Sequence, residues 1–152
     1  ISIKAIMKNI LVTLEFESHA PTLIAQAVEI GEKFSAKIWL LHASAPEPDF
    51  VGYEVGPQYI RDFRADELRE EHRILDQFVK EIEAKGIEAD GLLVQGATTD
   101  VILEEAQKLE ADLLIIGHHP HSWFYKLLNT PTDIHVVNNS RIPVLVVPID
   151  NE

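Results

Sequence analysis

The chain has 152 residues, 46% apolar, 25% charged and 7% aromatic, enough for one domain that buries about 68–70% of its unfolded surface. That composition excludes a wholly disordered or fibrous protein, and no apolar run reaches the ~20 residues of a membrane span. A net charge of −12 disfavours nucleic acid and anionic membrane as partners, and the absence of cysteine removes disulfides, thiolate metal sites and cysteine nucleophiles together.

At the amino end, Ile1 to Ile6 holds one lysine and no long apolar stretch, so it does not read as a secretory signal. Met7 is the only methionine and stands beside the first strand-like segment. The expectation is a single domain over 7–150, with 1–6 a cloning remnant or short extension, and a cytoplasmic location by default. Ile10–Leu14 is the first short apolar run, and its continuous apolarity suits a strand buried on both faces of a parallel sheet. Pro21 to Phe34 follows as a helix, with Leu23, Ile24, Ala27, Val28 and Ile30 at helical spacing and Pro21 in the first turn. Lys37–His42 is the second strand, and the Pro- and Gly-containing stretch Ser44 to Pro57 reads as an exposed loop.

A longer helix is expected from about Tyr59 to Lys85. Leu68, Leu75, Phe78, Val79 and Ile82 form its apolar stripe, charges cover its other faces, and Gly86 offers a cap. Gly91–Val94 is the third strand. Thr98 or Thr99 caps a third helix carrying Val101, Ile102, Leu103, Ala106 and Leu109. Asp112–Ile116 is the fourth strand, a short helix lies near Thr132 to Asn139, and Pro143–Ile149 closes the chain as a β-branched strand. Strands alternating with helices predict a three-layer α/β/α sandwich with a five-stranded parallel sheet built from right-handed crossovers. Such sheets bind ligands outside the carboxyl ends of their strands, which directs attention to Glu15, Ala43, Gly96 and Gly117. Neither G-x-G-x-x-G nor G-x-x-x-x-G-K-[ST] occurs, so a P-loop kinase or an ordinary dinucleotide-dependent dehydrogenase is not expected.

The segment after the fourth strand carries most information: Ile115-Ile-Gly-His-His-Pro-His-Ser-Trp-Phe-Tyr, then Asn129-Thr-Pro-Thr, leading to Pro143-Val-Leu-Val-Val-Pro. With Lys8-Asn-Ile-Leu-Val-Thr-Leu-Glu at the start, Leu40-Leu-His-Ala in the second strand and Ala111-Asp-Leu-Leu-Ile-Ile-Gly in the fourth, the chain from Met7 onward resembles the universal stress protein family. The resemblance implies an adenine nucleotide alpha hydrolase-like, Rossmann-like domain with flavodoxin-style strand order 3-2-1-4-5. It also implies a nucleotide pocket mapped onto Thr13, Glu15, Ala43, Ile116, Gly117, Thr130 and Thr132, and a homodimer through the last strand, Val144–Ile149. Pairing of that strand with its twin would cover an exposed edge, and Pro148 limits how far the ladder extends.

Nucleotide-binding members carry a loop G-x-x-G-x9-G-[ST], whose glycines and Ser/Thr let backbone N–H groups approach phosphates. Here Gly117 keeps the first position, whereas the next three are Pro120, Thr130 and Pro131. The chain thus resembles the branch of the family that lacks the ATP loop, in which Gly-His-His after the fourth strand also occurs. The function it implies is a stress-response regulatory or protective module without efficient ATP binding and with no cofactor. The alternative is an adenine-nucleotide switch that takes ATP or AMP, with at most slow ATPase activity.

Several residues admit two readings. Glu15 faces the adenine-ribose end of a ligand or merely solvates a strand end. His118, His119, His121 and His135, with Asp133 nearby, suit a metal ion or are hydrogen-bonded surface histidines; no metal is expected. Trp123, Phe124 and Tyr125 form a lid over a pocket or pack the loop onto the core. No catalytic residues are expected, because neither a nucleophile elbow nor a recognisable carboxylate pair occurs. Residues 61–112 hold 15 acidic and 7 basic groups, against one acidic and two basic groups in 113–149. The acidic excess therefore avoids the region where an anionic ligand would sit, although a solvated acidic helix gives the same skew.

Overall fold

The computed structural model describes residues 7–14, 19–44, 58–95, 98–118 and 132–149. Five strands alternate with four helices: β1 (Asn9–Thr13), α1 (Ala20–Phe34), β2 (Lys37–Ser44), α2 (Gln58–Glu83), β3 (Ala89–Gln95), α3 (Thr98–Lys108), β4 (Leu113–His118), α4 (Thr132–Asn139) and β5 (Val144–Pro148). All pairings are parallel, in the order β3-β2-β1-β4-β5. The expected three-layer sandwich and strand order are both present. The order reverses between β1 and β4, and sheets of this kind bind ligands outside the carboxyl ends of the strands at such a point.

Apolar residues on both faces of the strands build two cores. On one face Ile10, Val12, Leu40 and Ile115 pack against Leu23, Ile24, Ala27 and Val28 of α1 and Leu75, Val79 and Ile82 of α2. On the other, Leu11, Leu41, Leu114 and Ile116 meet Ile102 and Ala106 of α3 and Val136 of α4. Ile10, Leu11 and Ile115 are wholly buried, and each such side chain contributes about 1.5–3 kcal/mol of transfer free energy. These contacts explain why the central strands read as unbroken apolar runs.

The helix ends follow local chemistry. Pro21 stands in the first turn of α1, where its missing N–H leaves no bond unmade. Ser35 ends that helix in the left-handed region at φ 53°, and the Ala36 N–H donates to the Gly31 carbonyl at 3.0 Å. Helix α2 stops at Glu83, two residues before the expected Lys85. There the Lys85 and Gly86 N–H groups donate to Ile82 and Glu83 in a tighter turn, and Gly86 adopts φ 83° as expected of a cap.

Two strands run further than their apolar cores. β3 begins at Ala89 because Ala89 and Asp90 pair with Ile38 and Trp39, and β2 continues through Ala43 and Ser44, which pair with Val94 and Gln95. No helix among the described residues is long and apolar enough to cross a membrane.

Candidate functional site

The strand register places the expected residues around the exit of β1. Thr13 and Ile116 each stand one residue beyond the Val12–Ile115 pair, and Ala43 stands two beyond Leu41, the partner of Thr13. Side chains alternate across a strand, so Thr13 shares a face with Leu11, and Ala43 with Leu41. That face also carries Ile116 and the helices α3 and α4. Thr13 and Ala43 are half-buried, which leaves them accessible at the strand ends. Ile116 is 3% exposed, so its side chain is committed to the core. Thr132 opens α4, on the same side of the sheet. Glu15 and Thr130 lie outside the described residues, as do Pro120, Pro131, His119, His121 and the aromatic run 123–125.

Gly117 belongs to the opposite face. A Cβ built there would overlap the Cδ1 methyl of Ile149, and would stand 3.4 Å from Ile149 Cγ1 and 3.5 Å from Leu23 Cδ1 of α1. The structure therefore brings Thr13, Ala43 and Ile116 together and sets Gly117 against a different layer. Its glycine character is used by a neighbouring side chain.

Sequence reasoning missed a polar contact beside this site. The His42 ring is held with Nδ1 2.9 Å from the Leu14 carbonyl oxygen. A carbonyl only accepts, so Nδ1 carries the proton. His42 Nε2 lies 3.9 Å from Glu71 Oε1 of α2, with the two side chains 13% and 25% exposed. The second carboxylate oxygen, Oε2, is shielded from solvent and accepts no hydrogen bond among the described residues. Buried polar atoms are nearly always partnered, so this is a local departure from full satisfaction. The arrangement ties α2 to the ends of both β1 and β2, immediately before the segment that carries Glu15. No spacing in the sequence signals it, because the three residues come from three separate elements.

For metal binding, the described residues contain no group of three or more His, Asp or Glu side chains able to hold an ion. His118 ends β4 and His135 lies exposed on α4. On the acidic helix α2, Arg73 pairs with Glu70 through Nη2 and Oε1 at 2.6 Å, and His72 with Asp76 at 3.3 Å. The guanidinium of Arg73 holds the Glu70 carboxyl below its ordinary range. These pairs sit on exposed helix surface, so the acidity of this region is a solvated face.

Comparison with known proteins agrees with this architecture. Residues 7–148 match the model of the universal stress protein family. The chain is 28% identical over 145 residues to universal stress protein C of Escherichia coli O157:H7, an alignment covering 95% of this chain and 97% of the relative. Among solved structures, universal stress protein UspA from Lactobacillus plantarum superposes with a TM-score of 0.77 at 18% identity, covering 94% of this chain and 99% of that one. A universal stress protein in complex with cAMP superposes with a TM-score of 0.71 at 20% identity, covering 95% and 98%. With a family match spanning every described element from β1 to β5, the chain belongs to the universal stress protein family.

Proposed function

We propose that this chain is a regulatory or protective binding module of the stress response, cytoplasmic and homodimeric, from the branch of its family without an intact ATP loop. The observation that carries the reading is the composition of the loop leaving β4. Pro120 and Pro131 supply no N–H, and Thr130 presents a Cβ where backbone must approach a phosphate. Three of the four loop positions have thus lost what phosphate binding requires of them. Small molecules released from the purified protein, identified by mass spectrometry, test this. No ATP is expected, and ATP at one equivalent per chain overturns the reading.

A second reading is favoured by the cAMP complex of the structural neighbour and by the near-neutral charge of residues 113–149. In it the module is an adenine-nucleotide switch that takes AMP or ATP, with Thr13, Glu15, Ala43, Ile116, Gly117, Thr130 and Thr132 around the ligand. A thermal-shift panel of ATP, AMP and cAMP separates the two readings. A ligand at 100-fold its dissociation constant stabilises by roughly 2.7 kcal/mol, and the first reading expects no shift with ATP.

For the dimer, support comes from β5, an edge strand whose Val146 is 38% exposed. An apolar, unpaired edge is a liability unless covered, and a twin β5 across a two-fold axis covers it. Val146→Lys places a charge in that interface, so a wild-type dimer becoming a folded monomer by light scattering is the expected outcome. A wild-type monomer refutes the dimer.

A further inference from the structure

We infer that Ile149 keeps residue 117 a glycine, and that the pair closes the α1 side of the β4 exit, so a ligand at the strand ends is held from the α3/α4 face and makes no phosphate contact at Gly117. A glycine in a phosphate-binding loop is a glycine because ligand atoms lie where a Cβ would stand. Here that volume is filled by the Cδ1 methyl of Ile149, with Leu23 Cδ1 behind it at 3.5 Å. Neither side chain yields easily. Ile149 is 4% exposed and Leu23 is buried in the α1 core. β-branching holds Ile149 at χ1, so its Cδ1 can give way only by turning about χ2 inside buried surroundings, and its N–H donates to the His118 carbonyl at 3.1 Å. That bond fixes the backbone of residue 149 beside the residue that follows Gly117. An anion brought to this wall would exchange water for methyl groups without gaining a hydrogen bond.

The backbone places no demand on Gly117, since Gly86 is the only described glycine with positive φ. Alanine can therefore adopt the local conformation, and among the described residues the side chain that obstructs its Cβ is Ile149. A double-mutant cycle on the full chain reads this directly. Gly117→Ala lowers the thermal midpoint by about 5 °C or more in the wild-type background, and by less than about 2 °C when Ile149→Ala has removed the methyl. An equal drop in both backgrounds, or no drop with Ile149 in place, overturns the inference. Should Gly117→Ala alone fail to fold, folding of the double variant supports the pair and its failure refutes it.

The ligand side builds on the nucleotide reading and is measured separately, by titrating AMP and ATP into the wild type. ATP is expected to bind no more than about threefold tighter than AMP, because the added phosphates gain nothing at Gly117. A tenfold preference for ATP overturns the closed wall. If neither nucleotide binds, the nucleotide reading fails, while the unfolding cycle still decides the role of Ile149.

Discussion

The two ends of the sheet are built from the same strands and treat their polar groups differently. At the amino end several described polar groups are tied across the strands. The Asp112 carboxylate accepts the N–H groups of Lys8 and Asn9 at 2.8 and 3.0 Å, joining the start of β1 to the start of β4. Trp39 Nε1 donates to Asn9 Oδ1 at 3.1 Å, and Lys37 reaches Asp90 at 2.7 Å. At the carboxyl end Thr13 and Ala43 stay half-exposed, and Glu71 keeps one shielded oxygen without a hydrogen bond among the described residues. One end fastens the strands to one another, and at the other the described residues leave Thr13 and Ala43 half-exposed. Ligand chemistry belongs at the second, as the topology of a parallel sheet requires.

Substitutions at the two ends should separate along that line. The largest effect is expected from Asp112→Ala, which takes the acceptor from the part-buried Asn9 N–H and leaves the exposed Lys8 N–H to water, and should lower stability by about 2–3 kcal/mol in urea unfolding. It should leave any nucleotide-induced thermal shift untouched, and a lost shift would break the contrast. His42→Ala at the opposite end removes the donor to the Leu14 carbonyl and should cost about 2 kcal/mol. Because Leu14 leads into the segment carrying Glu15, this variant should also change the nucleotide response or its absence. Glu71→Gln should stay within about 1 kcal/mol of wild type, since the Glu71–His42 contact is long and its second oxygen accepts nothing from the described residues. A Glu71→Gln loss equal to that of His42→Ala would mean that the carboxylate, and not the Leu14 carbonyl, orients the ring.

The sequence revealed those parts of the fold that burial makes repetitive. Continuous apolar runs located the strands, and helical spacing of Leu75, Val79 and Ile82 located α2, because both sheet faces are covered. The start of β3 was illegible. Asp90 is exposed on an edge strand, so pairing with Trp39 puts it in the ladder without burying it. The end of β2 escaped for the same reason, since Ala43 and Ser44 are strand residues by pairing and not by apolarity. At the site, Gly117 was legible as a glycine in a family position, but its neighbour Ile149 was not. That contact depends on β4 and β5 lying side by side, with Gly117 in register with Val147. The His42–Glu71 contact likewise depends on how α2 lies across the strand ends, which no local pattern encodes.

The smallest expected effect tests the amino end through pH. The Lys37 ammonium sits 2.7 Å from Asp90 and 3.5 Å from Glu88, with Nζ 3.8 Å from the centre of the Trp39 ring. The hydrogen bond to Asp90 raises its pKa above the ordinary lysine value; partial burial opposes this, and the charges of Asp90 and Glu88 add to it. A raised folded-state value means that the contact's stability is fully present below the unfolded lysine value near ~10.4 and is lost as pH climbs through the folded value. Lys37→Met keeps an apolar stem against the tryptophan and removes the charge. The wild type should exceed this variant by no more than about 1 kcal/mol, because both carboxylates are solvent-exposed. That margin should be flat from about pH 7 to 9 and should shrink only above about pH 10.5. A margin that persists unchanged after the lysine has lost its charge would show that it does not come from the ammonium, and the pairing of Lys37 with Asp90 and Glu88 would then fasten nothing at this end.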